Sequence, residues 1–402
     1  MKILLSAYAC EPNKGSEPGV GWSWAVELAK QHEIWVLTRD NNEPTIINYL
    51  EKNPEYKNNN LHFIFVGLPR VLTFYKRGNR GIRLYYMFWQ RKATKVADAL
   101  NREIHFDLVQ HVTFVSYTQS TYMYKLGIPL IWGPVSGGEN IPSEIKIEMT
   151  FKERLIEAVR KFSQTTALVT PSIRRTMKSA KAILVATEET KNKIPEKYQG
   201  KTYVIPAIGL EKIPDVQRIE GNGGKVKIVM AGRLIYWKAF DIGLKAFLQI
   251  VNKYPNAELH ILGEGNQKPA LQKLAEAHLN KQVFFDPPVQ HDKIFEYYSQ
   301  FDLFVNTTLR DSGCMTMMEA MSVGLPCIAI ATGGPGILLD ADSLGRIEVA
   351  SYEECVTSLS DRLEFLINSG DVRNKLAKAQ NEYLIDIFLL SRKTDRIGKI
   401  YR

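Results

Sequence analysis

Two basic residues follow an apolar run near the middle of the chain. The run Lys225–Ala231 has the pattern of a buried strand, Gly232 follows it, and Arg233 and Lys238 come next, five positions apart. An Arg fork and a Lys ammonium at the carboxyl end of a strand, close to the start of a helix, can bind a diphosphate. The other interpretation is that both are solvated cations on a surface loop, as most Lys and Arg side chains are.

Two acidic residues, eight positions apart, mark a second segment of the same half. Asp311 follows the apolar run Leu303–Asn306, and Glu319 lies within the helix predicted over Met315–Val323. Backbone N–H groups at the start of that helix would face an anion or sugar hydroxyls, and a helical carboxylate can accept hydrogen bonds from two ribose hydroxyls. The alternative is an ordinary helix whose acidic N-terminus is stabilised by the helix dipole.

Parallel strands are needed to bring these residues to one edge of a sheet. Short apolar runs alternate with helical periodicity from Lys2 to Val185, and the alternation restarts at Lys225 after the polar segment Gly209–Gly224. Since ligands of such sheets bind at the carboxyl ends of the strands, two facing domains would place two ligands across one cleft. We therefore predict an α/β chain of two Rossmann-like, doubly wound domains, residues 1–212 and 213–385, with a C-terminal helix at 386–402 that returns to the first domain.

Composition excludes several other classes of protein. The 402 residues are 45% hydrophobic and 24% charged, which excludes disordered, collagen-like and coiled-coil chains. The apolar start of the chain is too short for a signal peptide, no spanning helix is visible, and a cytoplasmic protein is expected. Four scattered cysteines form no CxxC pair and suit a reducing compartment: Cys10, Cys314, Cys327 and Cys355.

One short motif has the form of a metal site. Asp340-Ala341-Asp342 fits the DxD pattern, whose two carboxylates can hold a metal ion on a diphosphate. It lies beyond the acidic segment and is interpreted as a surface turn, so that no metal is predicted.

The motifs of the second half together resemble glycosyltransferase family 4. They are GRLxxxK (Gly232–Lys238), LGEG (Leu262–Gly265), and the acidic pair running into EAMSVGLP, and the similarity spans essentially the whole chain. The resemblance implies the GT-B fold, with two domains facing a cleft. It also implies a retaining enzyme that uses a UDP- or GDP-type nucleotide sugar and needs no metal, its first domain binding the acceptor and its second the donor.

The resemblance assigns a role to each motif residue. Arg233 and Lys238 would hold the donor diphosphate and neutralise the leaving group, Glu319 would bind the ribose, and Asp311 would contact the transferred sugar. Preorganised electrostatics of this kind is commonly the main source of an enzyme's rate enhancement. The donor-binding set implied in this way is Gly15, Gly19, Gly232, Arg233, Lys238, Asp311, Gly313, Cys314, Met315, Thr316 and Glu319.

The chain departs from the family pattern at three places. Asp311 stands where the family usually has Glu, Ser312-Gly313-Cys314 where it usually has Gly-Phe-Gly, and Lys238-Ala239 where it usually has Lys-Gly. No charge is lost, so activity is expected, and the property most affected would be donor specificity.

The first half offers a glycine-bearing loop. GSEPGVGW (Gly15–Trp22) lies between a strand and a helix, and Gly15 and Gly19 would allow the backbone to approach a phosphate or sugar closely. The alternative is a Gly/Pro-rich turn that caps the helix.

The position of a catalytic histidine is open. Relatives often carry a His at a strand end, where this chain has Trp132 instead. His111, at the end of the run Asp107–His111, is the substitute candidate for the catalytic region, or else a core histidine. Glu139, in the loop after Gly137-Gly138, is a candidate on the acceptor side.

Positive charge is concentrated in the first half. Residues 1–212 hold 30 Lys and Arg against 20 Asp and Glu, whereas residues 213–402 hold 22 against 23. The segments Arg70–Lys95 and Lys152–Lys181 are rich in cations, and the first interleaves them with aromatic residues. This favours contact with an anionic membrane surface, the alternative being a solvated helical face with core aromatics. No nucleic-acid module is visible.

We therefore expect a hexosyltransferase-type glycosyltransferase of cell-envelope polysaccharide synthesis. It would act on a glycan or lipid-linked acceptor, in the cytoplasm or at the inner face of the cell membrane. The alternatives are a nucleotide-sugar epimerase and an inactive sugar-nucleotide-binding subunit.

Overall fold

The chain folds into two compact units in a computed structural model that describes residues 1–69, 71, 81–114, 116–219 and 224–402. The first unit comprises Met1–Gly138, Ala158–Glu211 and Leu390–Arg402, and the second comprises Glu139–Glu157 and Lys212–Leu389. Each unit contains one parallel sheet with helices. The predicted fold class, α/β with two Rossmann-like doubly wound domains, is confirmed.

The first unit is built on a seven-stranded sheet. One of its interior strands is apolar on both faces, with Ile3, Leu4 and Leu5 fully buried, as expected of a parallel strand covered by helices on both sides. The strands are β1 (Lys2–Ser6), β2 (Glu33–Arg39), β3 (Leu61–Val66), β4 (Leu108–His111), β5 (Leu130–Val135), β6 (Ala180–Val185) and β7 (Thr202–Val204), in the spatial order β3-β2-β1-β4-β5-β6-β7.

Six α-helices of the described chain, the last of which ends at residue 191, lie in the connections that follow these strands along the chain. The seven residues of α4 up to Glu157 are grouped with the second unit. The helices are α1 (Ser16–Ala29), α2 (Glu43–Lys52), α3 (Ile82–Ile104), α4 (Phe151–Ala167), α5 (Pro171–Ser179) and α6 (Glu188–Lys191).

The second unit is built on a six-stranded sheet with the same winding. Its strands are β8 (Val226–Ala231), β9 (Ala257–Leu262), β10 (Val283–Asp286), β11 (Leu303–Asn306), β12 (Cys327–Ile330) and β13 (Arg346–Ile347), in the spatial order β10-β9-β8-β11-β12-β13. Its helices are α7 (Phe240–Ile250), α8 (Lys268–Leu274), α9 (Ile294–Tyr298), α10 (Met315–Ser322), α11 (Gly333–Leu338), α12 (Tyr352–Ile367) and α13 (Gly370–Phe388).

The segment 386–402, predicted as one helix, is divided between two helices. Residues 386–388 end α13, and α14 (Leu390–Tyr401) belongs to the first unit. There the Leu390 N–H donates to the Leu210 carbonyl (2.9 Å). The Lys393 ammonium, 2% exposed, donates to the carbonyls of Pro206 (2.9 Å) and Ile208. Burial lowers the pKa of Lys393 to about 7.

Residues 139–157 are grouped with the second unit, whereas the sequence placed them in the first domain. The physical reason is packing. Ile145 is 3% exposed within the hydrophobic core of the second unit, and Glu157 accepts hydrogen bonds from Tyr236 and Arg310 of that unit. Glu139 therefore belongs to the second unit.

Among the described residues, no helix is both long enough and apolar enough to cross a bilayer.

Candidate functional site

Two loops cross at the carboxyl edge of the second sheet, directly after β8 and β9. The Gly232 N–H donates to the Leu262 carbonyl (3.0 Å), and the Leu234 N–H donates to the Glu264 carbonyl (2.9 Å). A Cβ atom on Gly263 would lie 1.9 Å from the Gly232 carbonyl oxygen. Glycine is required there because the two backbones touch. The GRL and LGEG motifs are therefore two halves of one structural element.

Lys238 and Asp311 form an ion pair beside this crossing. The Lys238 Nζ lies 2.5 Å from Asp311 Oδ2, and the two side chains are 13% and 28% exposed. Asp311 Oδ1 accepts a hydrogen bond from the Gly313 N–H (3.0 Å). Burial raises the pKa of Asp311, but the Lys238 ammonium and the N–H groups of Gly313 and Cys314 outweigh it and hold this pKa below its ordinary value. Asp311 is therefore an ionised carboxylate.

Arg233 differs from Lys238 in its surroundings. It is exposed on the loop after β8, and within the described part of the chain its side chain forms no ion pair or hydrogen bond. Because the charge of Lys238 is balanced by Asp311, Arg233 supplies an uncompensated cation at this edge of the sheet.

Helix α10 begins directly after the turn that contains Asp311 and Gly313, which we call the acidic turn. Gly313, Met315 and Thr316 are partly exposed at its start, so its first N–H groups are accessible to an anion. Glu319 is 6% exposed in the same helix, and burial raises its pKa to about 7. The buried thiol of Cys314 accepts a hydrogen bond from the Asn306 amide (3.0 Å).

Two of the departures from the family pattern share one backbone feature. Ala239 has φ +44° and Cys314 has φ +59°, both in the left-handed region. These are positions where the family usually has Gly, which adopts this conformation without a steric penalty. A glycine at either position would adopt this backbone at lower steric cost, and this chain adopts it with Ala239 and Cys314.

A glycine pair that the sequence analysis did not single out supports the acidic turn. The Gly334 N–H, in α11, donates to the Asp311 carbonyl (2.7 Å). A Cβ on Gly334 would lie 2.7 Å from the Gly313 nitrogen, and one on Gly333 would lie 2.3 Å from the Asp311 carbonyl oxygen. The segment 333–338 is helical and packed against the turn. The GGPG sequence directly after β12 was the available signal.

Glu139 also lies beside the acidic turn. It is 5% exposed, and its Cγ would be 3.3 Å from a Cβ on Gly333. Its prediction as an acceptor-side residue assumed that it lay in the first domain, but it lies beside the acidic turn of the second unit.

The glycine-bearing loop of the first unit has a structural explanation in part. A Cβ on Gly19 would lie 2.0 Å from the Lys14 carbonyl oxygen, so this glycine allows the loop to pack on the first turn of α1. Gly15, which precedes α1, has open space around it. A donor contact remains a prediction for both residues.

His111 is enclosed at the end of β4. It is 2% exposed, its Nε2 lies 2.9 Å from the Tyr86 hydroxyl, and its Nδ1 lies 3.1 Å from the Ser6 hydroxyl. Burial lowers the pKa of His111 to about 3, so the ring is neutral at pH 7. Of the two interpretations, this geometry favours a buried structural histidine.

No group of three or more His, Cys, Asp or Glu side chains is arranged to hold a metal ion in the described ranges. Asp340 and Asp342 are exposed, and the Asp342 N–H donates to the Asp340 carboxylate (3.2 Å) within a turn.

The second unit matches a known family. The model of the family "Glycosyl transferases group 1" covers residues 212–383, which include the loop crossing, the ion pair and α10. Residues 212–383 are therefore similar to the group 1 glycosyl transferases. The resemblance to glycosyltransferase family 4 is consistent with this match.

Two curated proteins are also similar to this chain in sequence. Protein CapJ of Staphylococcus aureus is 26% identical over 159 residues, which cover 38% of this chain and 39% of CapJ. Alpha-monoglucosyldiacylglycerol synthase of Acholeplasma laidlawii is 24% identical over 277 residues, which cover 63% of this chain and 64% of the synthase. The chain spans only 30–39% of the length of the first four curated relatives that it matches.

Solved structures establish the fold of both units. Sucrose-phosphate synthase from Thermosynechococcus elongatus has a TM-score of 0.64 at 14% identity, with 100% of this chain and 98% of the synthase covered. The Anabaena protein HepE in complex with UDP has a TM-score of 0.62 at 12% identity, with 99% of each chain covered. The predicted GT-B fold class is confirmed by these neighbours.

Proposed function

We propose that this chain is a retaining, hexosyltransferase-type glycosyltransferase that moves a sugar from a UDP- or GDP-type nucleotide sugar to a glycan or lipid-linked acceptor in cell-envelope polysaccharide synthesis. The observation that carries the proposal is the Lys238–Asp311 ion pair, which lies beside the exposed Arg233 in the family-matched segment. It is supported by HepE, a neighbour solved with UDP, and by the name of the A. laidlawii relative, a glucosyldiacylglycerol synthase.

In this proposal the second unit binds the donor. Arg233 and Lys238 neutralise the charge that develops on the departing diphosphate, and the first N–H groups of α10 face its oxygens. Asp311 accepts hydrogen bonds from hydroxyls of the transferred sugar and stabilises the positive charge of an oxocarbenium-like transition state. Glu319 binds the ribose. The first unit binds the acceptor.

The retaining route that we favour has no covalent intermediate. The leaving diphosphate takes the acceptor proton on the face from which it departs, so no carboxylate nucleophile is required. Glu139, next to the acidic turn, is the residue on which this is tested. Mass spectrometry of the enzyme with donor should show no glycosyl adduct, in the native chain or in Glu139→Gln. A trapped adduct would contradict this route.

Metal independence is part of the same proposal. We propose that the two cations do the work that a divalent ion does in DxD enzymes, so transfer should continue in EDTA. The enzyme would work in the cytoplasm, and its proposed partners are the donor, the acceptor and an anionic membrane surface.

Release of nucleoside diphosphate tests the function. The protein is incubated with a panel of UDP- and GDP-sugars, with and without acceptor extracts. A transferase releases nucleoside diphosphate in the presence of acceptor, an epimerase changes the sugar without acceptor, and an inactive subunit binds without turnover. Arg233→Ala with Lys238→Ala should abolish both binding and release. Lys273→Ala, which removes an exposed cation of α8, is the matched control.

A further inference from the structure

Helix α4 exposes an apolar face. Phe151 is 84% exposed, Leu155 56%, Val159 60% and Phe162 70%. These positions are separated by four, four and three residues, so their side chains lie on one side of the helix, and Ile156, 45% exposed, widens the stripe. Isolated exposed apolar residues are ordinary, whereas a continuous apolar stripe on one helix marks an interaction surface.

The charges of α4 are sorted between its two sides. Glu153 and Glu157 are 6% and 9% exposed, and both accept hydrogen bonds within the second unit. The outward-facing charged residues are all basic: Lys152, Arg154 and Lys161. The helix therefore presents apolar groups and positive charge together.

The positive charge continues beyond α4. From Ala158 to Thr187 the sequence has six Lys or Arg and no Asp or Glu. Three cations on the following helix, α5, are exposed: Arg174, Arg175 and Lys178. Val169, between the two helices, is 60% exposed. We call the exposed residues of 151–178 the α4–α5 surface.

The other basic segment does not offer such a face in its described part. Tyr85, Tyr86 and Trp89, which alternate with its cations, are buried in the first unit's core. Four of its cations are exposed on α3: Arg83, Arg91, Lys92 and Lys95. Six other cations and aromatics of that prediction lie outside the described residues: Arg70, Phe74, Tyr75, Lys76, Arg77 and Arg80. The exposed apolar side chains that a membrane contact requires are therefore on α4.

We propose that the α4–α5 surface lies in the interface of an anionic lipid bilayer. An interfacial helix of this kind buries its apolar side at the boundary of headgroups and acyl chains, while its cations contact acidic headgroups. A second copy of the same surface would bring cations against cations, and a polyanion in water would leave the phenylalanines uncovered. The proposal rests on the membrane partner named above and is independent of the transfer reaction.

Vesicle binding tests the proposal. Co-sedimentation is measured with vesicles of neutral phosphatidylcholine and with vesicles containing 30% phosphatidylglycerol. The native chain should bind the anionic vesicles at least tenfold better, and Phe151→Ser with Phe162→Ser should remove most of this binding. Arg174→Glu with Arg175→Glu should weaken it by about fivefold or more for each cation lost. Phe365→Ser is the matched control, because Phe365 is a 47% exposed phenylalanine on α12.

A site-specific label tests insertion directly. All four native cysteines are buried, so an environment-sensitive dye can be placed selectively on a Phe162→Cys variant. Its emission should shift to the blue with anionic vesicles, while the same dye on Phe365→Cys should not respond. A dye on residue 162 that stays in water would overturn the proposal.

Other outcomes also decide the question. Equal binding to both vesicle types, or no binding, would refute the proposal, and so would a dimer in analytical ultracentrifugation that Phe162→Ser dissociates. Release of nucleoside diphosphate is assayed on the same preparations without vesicles. A chain that releases the nucleotide but ignores lipid refutes this surface alone, and one that binds lipid but turns over no donor refutes the proposed function alone.

Discussion

The ammonium of Lys238 lies 2.5 Å from the carboxylate of Asp311, 73 positions further along the chain. The two residues were predicted to hold different parts of a donor, the diphosphate and the sugar. Their direct contact means that Lys238 is charge-balanced before any ligand arrives, and that the uncompensated charge at this edge belongs to Arg233.

This pairing predicts opposite effects of two substitutions on nucleotide binding. Asp311→Asn removes the negative partner of Lys238, so UDP or GDP should bind about two- to tenfold more tightly, although transfer should be lost. Lys238→Ala should weaken binding. Isothermal titration calorimetry measures both affinities, with Lys273→Ala as the control. Weaker binding by Asp311→Asn would mean that the carboxylate supports the nucleotide rather than the sugar.

The contribution of Arg233 to nucleotide binding should depend on the fork geometry of its guanidinium. Because a guanidinium can donate two parallel hydrogen bonds to a phosphate, Arg233→Ala should weaken nucleoside diphosphate binding by about 10- to 100-fold, and Arg233→Lys should recover only part of it. The affinity should also fall with added salt less steeply in Arg233→Ala than in the native chain. Full recovery by lysine would indicate a point charge rather than a bidentate contact.

Glu319 should make folding stability depend on pH. Burial raises its pKa from 4.5 to about 7, so its contribution to stability is present below pH 4.5 and is lost as the pH rises through 7. Glu319→Gln does not titrate and should raise the free energy of unfolding at pH 8 by on the order of 3 kcal/mol, with little change at pH 4.5. Thermal denaturation at the two pH values measures this.

The same variant separates stability from function. Glu319→Gln should bind nucleoside diphosphate about tenfold more weakly at pH 8, because a charged acceptor for ribose hydroxyls is lost. Destabilisation at pH 8 together with normal binding would contradict both roles given to this carboxylate.

The steric cost of the left-handed backbone at Ala239 can be measured by comparing the stabilities of two Ala→Gly variants. Ala239→Gly and Ala246→Gly each remove one buried methyl group, at the start and in the interior of α7. Only residue 239 has a positive φ, so Ala239→Gly should be more stable than Ala246→Gly by about 1–2 kcal/mol. Chemical denaturation provides the comparison, and equal losses would show that the backbone at 239 is unstrained.

The central strands and the donor motifs could be predicted because their signals are local. Buried parallel strands are continuous apolar runs, and the motif spacing places Arg233, Lys238 and Asp311 after strand ends. Strands β7 and β13 were missed because three and two residues carry no periodicity. Glu139 was assigned to the wrong unit because nothing in the residues around Ile145 indicates which of two cores they join.

Helix α4 shows a different limit of prediction from the sequence. An apolar stripe at positions 151, 155, 159 and 162 has the pattern of a core-facing helix, and only the structure shows that this stripe is exposed while Glu153 and Glu157 are buried. Periodicity indicates which side chains share a face, and tertiary packing decides which face is turned inward.

Helix α14 gives the biosynthesis of this protein a particular order. The first unit is completed by residues 390–402, where Lys393 and Tyr401 contact Pro206, Ile208 and Gln110. A ribosome must therefore translate the entire second unit before the amino-terminal sheet receives its last helix. Throughout elongation that sheet is left with the uncovered surface that α14 later fills, and transiently exposed surface of this kind makes a nascent chain prone to aggregate.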